Sequence, residues 1–219
     1  MTVFPSFRGW LERYHAGLDA LVFDVDGVLL VGARAAPGAA GLLERLGEPC
    51  YAGLADIRTT RRLEELADCR AALVGEDAYD WEATINGVIN FLIAHPRAPL
   101  IVPNPDLYYP GEDRRVHVAA GGVARLIASV CAAYGRALEP LYLGKPYEPI
   151  FHHNHGRLEL AVGRAVERRR VLMVGDSLDS DVAGARGFGY RSALVLTGAT
   201  PDARRRGAGP RPDLVFRAL

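Results

Sequence analysis

Two short apolar runs, far apart in the chain, each end at an aspartate. The run from Ala20 to Phe23 meets Asp24, and the run from Val171 to Val174 stops at Gly175 and Asp176. An apolar run bounded by polar and glycine residues is typical of a buried parallel strand. In open α/β sheets, ligands bind beyond the carboxyl ends of such strands. The pattern therefore predicts a parallel sheet that presents acidic side chains at one edge.

The rest of the chain alternates strands with helices. Further strands are predicted at 71–74, 100–102, 192–196 and 213–216, and helices at 6–17, 37–46, 81–94 and 121–134. This alternation indicates an α/β fold with a Rossmann-like parallel sheet. The stretch from about 60 to 140 has strands and helices of its own, which predicts a smaller α/β unit inserted into the main sheet.

Composition excludes several classes of protein. The 219 residues contain 26 Lys and Arg and 26 Asp and Glu, and this zero net charge argues against a nucleic-acid partner. The 49% hydrophobic content excludes intrinsic disorder. Three scattered cysteines, Cys50, Cys69 and Cys131, predict neither a disulfide framework nor a zinc site. Without a signal peptide or a run of about 20 apolar residues, we expect a soluble, cytoplasmic protein with no membrane partner.

The first acidic motif places Asp24 and Asp26 two positions apart, just before Gly27. Two neighbouring acids at the end of a buried strand are unfavourable unless an ion lies between them. Strand-end aspartates that cap a turn are the alternative, and the pair alone favours this alternative slightly.

The second acidic motif is the segment GDSLDSD at 175–181. If the two strands are neighbours, four acids converge: Asp24, Asp26, Asp176 and Asp181. Such hard oxygen ligands predict a Mg²⁺ site. A helix N-cap at Asp179 or Ser180 would explain one acid but not the whole set.

A basic residue lies between the two acidic motifs. Lys145 is part of Gly144-Lys145-Pro146 and follows the apolar run 141–143. A lysine at the end of a strand is usually just solvated. Between two acid clusters, however, its charge would offset the carboxylates and hold a phosphate oxygen.

The order of DxDGV, GKP and GDSxxxD resembles the haloacid dehalogenase superfamily of phosphatases. Residues 100–111 (LIVPNPDLYYPG) and Gly75-Glu76-Asp77 are similar to its p-nitrophenylphosphatase-like branch, class IIA. The resemblance extends from residue 20 to 216 and includes three of the four core motifs. It implies a catalytic core formed by 1–55 and 141–219, and an inserted α/β cap domain at 56–140.

The resemblance implies a role for each matched residue. Asp24 would be the nucleophile that forms an aspartyl-phosphate, and Asp26 would be the general acid and then the base. Lys145 would stabilise the nucleophile and the phosphoryl group. Asp24, Asp176 and the backbone carbonyl of Asp26 would bind Mg²⁺. Asp181 would support the metal and the lysine.

Two cap residues complete the expected site. Asn104 and Asp106 fall where this branch places cap residues that face the substrate. A surface turn is an equally good explanation, since Asn, Pro and Asp are common turn residues. A homo-oligomer that forms through the cap is compatible with the resemblance.

The second motif of the family departs from its pattern. A strand ending in Ser or Thr is expected about thirty positions after the nucleophile, but Ala55 stands near that position. Thr59 or Thr60 would substitute only through a shift in the loop. The spacing from Asp26 to Lys145 is also short for this branch. Either the cap is reduced in size, or a segment that carries the second motif is absent from this sequence.

The expected function is a Mg²⁺-dependent hydrolase that removes phosphate from a small phosphorylated metabolite through an aspartyl-phosphate. The alternative is a catalytically weak or inactive relative that binds a phosphorylated metabolite or a protein partner. A dehalogenase is a weaker third reading, because that branch lacks the second acid of DxD. The sequence leaves the phosphate ester open.

Overall fold

The computed structural model describes residues 2–24, 30–31, 34–35, 69, 71–75, 81–110, 115–198, 200 and 209–219. The chain divides into two compact units. The core unit comprises Met1–Pro49 and Lys145–Leu219, and the inserted unit comprises Cys50–Gly144. The predicted domain limits, 1–55 with 141–219 and 56–140, stay a prediction.

Short strands alternate with helices along the described chain. The strands are β1 (Val3–Phe4), β2 (Ala20–Phe23), β3 (Leu30–Val31), β4 (Arg34–Ala35), β5 (Ala72–Leu73), β6 (Leu100–Val102), β7 (Tyr108–Pro110), β8 (Val116–Val118), β9 (Leu141–Tyr142), β10 (Val171–Gly175), β11 (Arg191–Val195) and β12 (Leu214–Phe216). The α-helices are α1 (Phe7–Tyr14), α2 (Trp81–Ala94), α3 (Ala120–Ala133), α4 (Glu148–Val162) and α5 (Ala183–Phe188). None of the helices in the described part of the chain combines the length and apolarity needed to cross a bilayer.

The core unit is built on a parallel sheet in the order β1-β12-β11-β10-β2. Strand β10, between β11 and β2, is buried along its whole length. Because alternate side chains point to opposite sides of a sheet, both of its faces are covered. Leu172 and Val174 pack with Phe7 of α1, whereas Val171 and Met173 pack on the opposite face. Burial on both faces explains the continuous apolar run of this strand, and the predicted α/β class with a parallel sheet is confirmed.

The opposite end of the core sheet is tied together by ion pairs. Asp19, just before β2, accepts hydrogen bonds from Nε and Nη2 of Arg170, at 2.8 and 2.9 Å. Arg164 lies 3.2 Å from the same carboxylate. The hydrogen bonds from these two guanidinium groups lower the pKa of Asp19 to about 2. They join the start of β2 to the segment that leads into β10.

The inserted unit has a separate three-stranded parallel sheet in the order β5-β6-β9. Leu100 and Val102 of β6 are fully buried, together with apolar side chains of α2 and α3. Strands β7 and β8 form a separate antiparallel pair. This unit therefore has its own apolar core, as expected of a small α/β unit.

Most predicted elements are present at or near their expected bounds. The predicted strands 20–23 and 100–102 and the predicted helix 81–94 match the observed bounds. The third core strand begins and ends one residue earlier than predicted, at Arg191–Val195. The predicted helix at 37–46 lies outside the described residues. Helix α4 was not predicted, because its polar sequence buries only Phe151.

Candidate functional site

The site begins at the carboxyl ends of two adjacent strands. Asp24 directly follows β2, and its amide nitrogen donates a hydrogen bond of 2.9 Å to the carbonyl oxygen of Val174. Phe23 pairs with Val174 in parallel register, so the two strands end side by side. Asp176 directly follows β10 and is buried, with 7% of its surface exposed. The sheet therefore brings the two predicted strand-end acids to the same edge.

A turn of π-helix returns a third acid to this edge. The turn spans Leu178–Val182, and the Ser177 side chain caps it by accepting a hydrogen bond from the Ser180 amide. The N-cap is thus Ser177, not Asp179 or Ser180. Since Asp181 lies inside this turn, its side chain points back towards the end of β10.

The carboxylate of Asp181 is held by the backbone. Its Oδ2 accepts hydrogen bonds from the amides of Asp176 and Ser177, at 3.1 and 3.0 Å. This approach requires a glycine at position 175. A Cβ on Gly175 would lie only 2.2 Å from the Cβ and Cγ atoms of Asp181. Steric contact with Asp181 therefore explains why the second motif has a glycine at position 175.

Lys145 joins two of the acids. Its Nζ donates hydrogen bonds to Oδ1 of Asp24 at 2.5 Å and to Oδ1 of Asp181 at 2.6 Å. The lysine side chain is 25% exposed, while Asp24 is 21% and Asp181 only 2% exposed. Burial alone would lower the pKa of Lys145, but the two carboxylates outweigh burial and raise it. The ammonium group is therefore charged at neutral pH.

The environment of Asp181 acts in the opposite direction. Burial raises the pKa of this carboxyl, and the nearby charge of Asp24 raises it further, while Lys145 lowers it. The net result is a pKa above the ordinary value of 3.8. The lysine is thus the group that favours the charged form of Asp181.

Lys145 is the only lysine of the sequence. Every other residue among the 26 Lys and Arg is an arginine. A guanidinium group is planar and forked, whereas an ammonium group is a compact point charge with rotatable donors. A compact charge can lie between two carboxylate oxygens, which gives a physical reason for a lysine at this position.

The acids form a donor set that suits Mg²⁺. One carboxylate oxygen from each of Asp24, Asp176 and Asp181 lies within 4.8 Å of the others. Mg²⁺ prefers such hard oxygen donors. Both oxygens of Asp181 already accept hydrogen bonds, from Lys145 and from two backbone amides. Asp24 and Asp176 are therefore the better side-chain ligands, with Asp181 in a supporting position.

Asp26, Ala55, Thr59 and Thr60 lie outside the described residues.

The predicted cap residues belong to the inserted unit. The amide of Asp106 donates a hydrogen bond of 3.0 Å to Oδ1 of Asn104, which is a turn stabilised by its own side chain. The carbonyl oxygen of Asp106 accepts a hydrogen bond of 3.0 Å from Gly121, at the start of α3. The loop that carries both residues is therefore held by local contacts.

One residue at the site was not predicted from the sequence. Gly198 lies against Asp176, so that a Cβ at this position would be 1.8 Å from Oδ2 of the carboxylate. The available signal was its place just after the third parallel strand, β11, where the carboxyl edge of the sheet continues.

A known family model matches the carboxyl-terminal part of the chain. Residues 142–219 match the family model described as HAD-hydrolase-like. This segment of the chain is therefore similar to the haloacid dehalogenase superfamily of hydrolases. The matched segment contains Lys145, Asp176 and Asp181, so it includes three of the residues described above.

Two curated proteins are similar to much of this chain. A mitochondrial hydrolase of Saccharomyces cerevisiae is 26% identical over an alignment 235 residues long. The alignment covers 89% of this chain and 62% of that protein. Dihydroxyacetone phosphatase of Corynebacterium glutamicum is 31% identical over 141 residues, which cover 64% of this chain and 46% of that protein. The chain therefore spans less than two thirds of the length of these relatives.

Solved structures share the fold. A p-nitrophenyl phosphatase from Archaeoglobus fulgidus superposes with a TM-score of 0.65 at 19% identity, over 92% of this chain and 96% of that one. A glycerol phosphate phosphatase from Mycobacterium tuberculosis, in complex with magnesium, superposes with a TM-score of 0.66 at 20% identity, over 92% and 75%. The resemblance to the p-nitrophenylphosphatase-like branch is confirmed at the level of the fold.

Proposed function

We propose that this protein is a Mg²⁺-dependent phosphatase that removes phosphate from a small phosphate monoester through an aspartyl-phosphate on Asp24. The observation that supports this proposal is the ammonium group of Lys145 between Asp24 and Asp181, beside the carboxylate of Asp176. Phosphoryl transfer depends mainly on positioning and on neutralisation of charge, and this cluster supplies both.

Charge balance explains why a cation is needed. Three carboxylates lie close together, and they would repel a phosphate dianion. Lys145 supplies one positive charge on this chain. A bound Mg²⁺, held by the side chains of Asp24 and Asp176 and the backbone carbonyl of Asp26, would supply the rest and polarise the phosphoryl oxygens.

The covalent steps use the chain's own carboxyl groups. The ionised carboxylate of Asp24 attacks phosphorus, a bond forms between its oxygen and the phosphorus, and the bond to the leaving alcohol breaks. Asp26 in its protonated form gives its proton to the leaving oxygen. The same residue then accepts a proton from water, whose oxygen bonds to the phosphorus of the aspartyl-phosphate. The bond between phosphorus and the Asp24 oxygen breaks, which releases inorganic phosphate and restores the carboxylate.

Lys145 and Asp181 act on the nucleophile without bonding to phosphorus. The lysine orients the carboxylate of Asp24 through the hydrogen bond of 2.5 Å. Asp181, anchored to the backbone at the end of β10, fixes the position of the lysine. The arrangement holds the nucleophile in one orientation before substrate binds.

Substrate choice is proposed from the relatives. Two of them are named a dihydroxyacetone phosphatase and a glycerol phosphate phosphatase. Three-carbon phosphate esters are therefore the first substrates to test among small phosphorylated metabolites. We assign Asn104 and Asp106 to substrate selectivity, as the resemblance implies. The cytoplasmic location and the oligomer through the cap stay predictions.

The test is phosphate release from a panel of esters that includes dihydroxyacetone phosphate, glycerol 3-phosphate and p-nitrophenyl phosphate, with Mg²⁺ or with excess chelator. We expect Mg²⁺-dependent turnover that is lost in Asp24→Asn, which keeps the shape of the side chain but removes its charge. Asp179→Asn is the control, because Asp179 is an exposed acid in the turn Leu178–Val182. Turnover in chelator, or in Asp24→Asn, would refute the mechanism. Binding of Mg²⁺ and phosphate without any turnover would favour the inactive relative.

A further inference from the structure

The third strand of the core sheet brings an uncharged residue to the acid cluster. Strand β11 lies beside β10 in parallel register, with Leu194 opposite Gly175. The chain that follows β11 therefore emerges at the same edge of the sheet as Asp176. Gly198 lies in this segment, three residues beyond the end of the strand at Val195.

Gly198 touches the whole length of the Asp176 side chain. A Cβ at position 198 would lie 1.8 Å from Oδ2, 2.6 Å from Cγ and 2.8 Å from Cβ of Asp176. All three distances are far below contact distance, so rotation of the carboxyl group alone would not make room for a methyl group. Any side chain at 198 would displace Asp176 as a whole.

We propose that Gly198 is a positioning residue that fixes the carboxylate of Asp176 for metal binding, an inference that rests on the proposed Mg²⁺ site. Its backbone packs along one side of the Asp176 side chain. This packing keeps a carboxylate oxygen of Asp176 within 4.8 Å of the oxygens of Asp24 and Asp181. Gly198 has no side chain that could bind a metal, so we place its effect on the metal through Asp176.

This role differs from a purely structural one in what it predicts. A glycine that only fills a tight turn would alter the stability of the metal-free protein and leave the metal affinity of the folded protein unchanged. A positioning residue changes the affinity itself. Residues that orient metal ligands typically change metal affinity about 10- to 100-fold when mutated.

The first experiment measures Mg²⁺ affinity by calorimetry for the full chain, Gly198→Ala and Gly187→Ala. Gly187 is the matched control, since a Cβ there meets nothing within 4 Å. We expect the dissociation constant to rise about 10- to 100-fold in Gly198→Ala and to stay unchanged in Gly187→Ala. Unchanged affinity in Gly198→Ala, or no Mg²⁺ binding by the parent protein, would overturn the inference.

A second measurement covers the case in which Gly198→Ala folds poorly. Asp176→Gly removes the three atoms that lie nearest to a methyl group at 198. In metal-free protein, we expect Gly198→Ala to lower the melting temperature much less in the Asp176→Gly background than in the parent. An equal fall in melting temperature in both backgrounds would refute the packing of Gly198 against Asp176.

The two proposals fail separately. A parent protein that binds Mg²⁺ but hydrolyses no ester would refute the phosphatase and leave the role of Gly198 testable by affinity. An active parent whose affinity is unchanged in Gly198→Ala would refute only the role of Gly198.

Discussion

Replacing Lys145 by methionine removes the charge that joins Asp24 to Asp181 and keeps an unbranched side chain. Two charge-assisted hydrogen bonds of 2.5 and 2.6 Å are lost, and two carboxylates are left facing each other. Breaking a buried ion pair by removing one partner costs about 3–5 kcal/mol. The lower end applies here, because Lys145 and Asp24 are 25% and 21% exposed. A loss of about 3 kcal/mol corresponds to a fall of about 6–12 °C in melting temperature for a chain of this size.

The loss should depend on pH. Burial already raises the pKa of Asp181 above its ordinary value of 3.8, and Lys145 opposes this shift. Without the lysine, the pKa of Asp181 in the folded protein rises further. A carboxyl with a raised pKa favours folding at low pH, and this contribution disappears as pH rises through the folded pKa. The deficit of Lys145→Met should therefore be small near pH 4 and grow towards pH 8.

The assay is denaturant unfolding in chelator across this pH range, for the parent, Lys145→Met and Lys145→Arg. The arginine variant keeps the charge, so we expect it to retain most of the stability. It should nevertheless lose phosphate release, because a forked guanidinium cannot replace a compact ammonium between two oxygens. A deficit for Lys145→Met that is below about 1 kcal/mol at pH 8, as for an exposed pair, would refute the reasoning. A deficit independent of pH would refute it equally.

Three further predictions concern other parts of the structure. Gly175→Ala should lower the free energy of unfolding by about 1–3 kcal/mol through overpacking and also abolish phosphate release, whereas Gly187→Ala, measured in parallel by denaturant unfolding, should do neither. Asp19→Asn should lower the melting temperature above about pH 4, and its difference from the parent should vanish as pH falls towards 2, because the pKa of Asp19 is lowered to about 2; a constant difference would contradict the ion pair. Asp106→Ala should reduce kcat/KM on the best natural ester by a factor that corresponds to about 1–3 kcal/mol, and it should leave kcat/KM on p-nitrophenyl phosphate nearly unchanged. Equal losses of kcat/KM on both esters would indicate a structural turn.

Local pattern was sufficient for much of the fold. The apolar runs at 20–23 and 100–102 and the helix at 81–94 have the bounds that their residues predict. Helix α4 escaped prediction because it has no broad apolar stripe, and tertiary packing around Phe151 stabilises it instead.

The strand-end acids could also be predicted from the sequence, since each follows an apolar run directly. Asp24 and Asp176 lie at the ends of β2 and β10 because those runs are short, buried strands. That the two strands are neighbours follows only from the order of the sheet. From the sequence, the acids were expected to lie close together only if the two strands were neighbours. The tertiary structure shows that β2 pairs with β10.

The contacts between distant segments were decided by tertiary structure alone. The sequence placed Lys145 between two acid clusters along the chain, but only the fold sets its ammonium 2.5 Å from Asp24 and 2.6 Å from Asp181. Gly198 has no charge and belongs to no motif, yet parallel pairing of β10 with β11 brings it against Asp176. Residue type and spacing determine which groups can bind a cation. Which of these groups meet depends on the order and register of neighbouring strands. The sequence of one segment does not determine that register, because it is set by packing across the whole sheet.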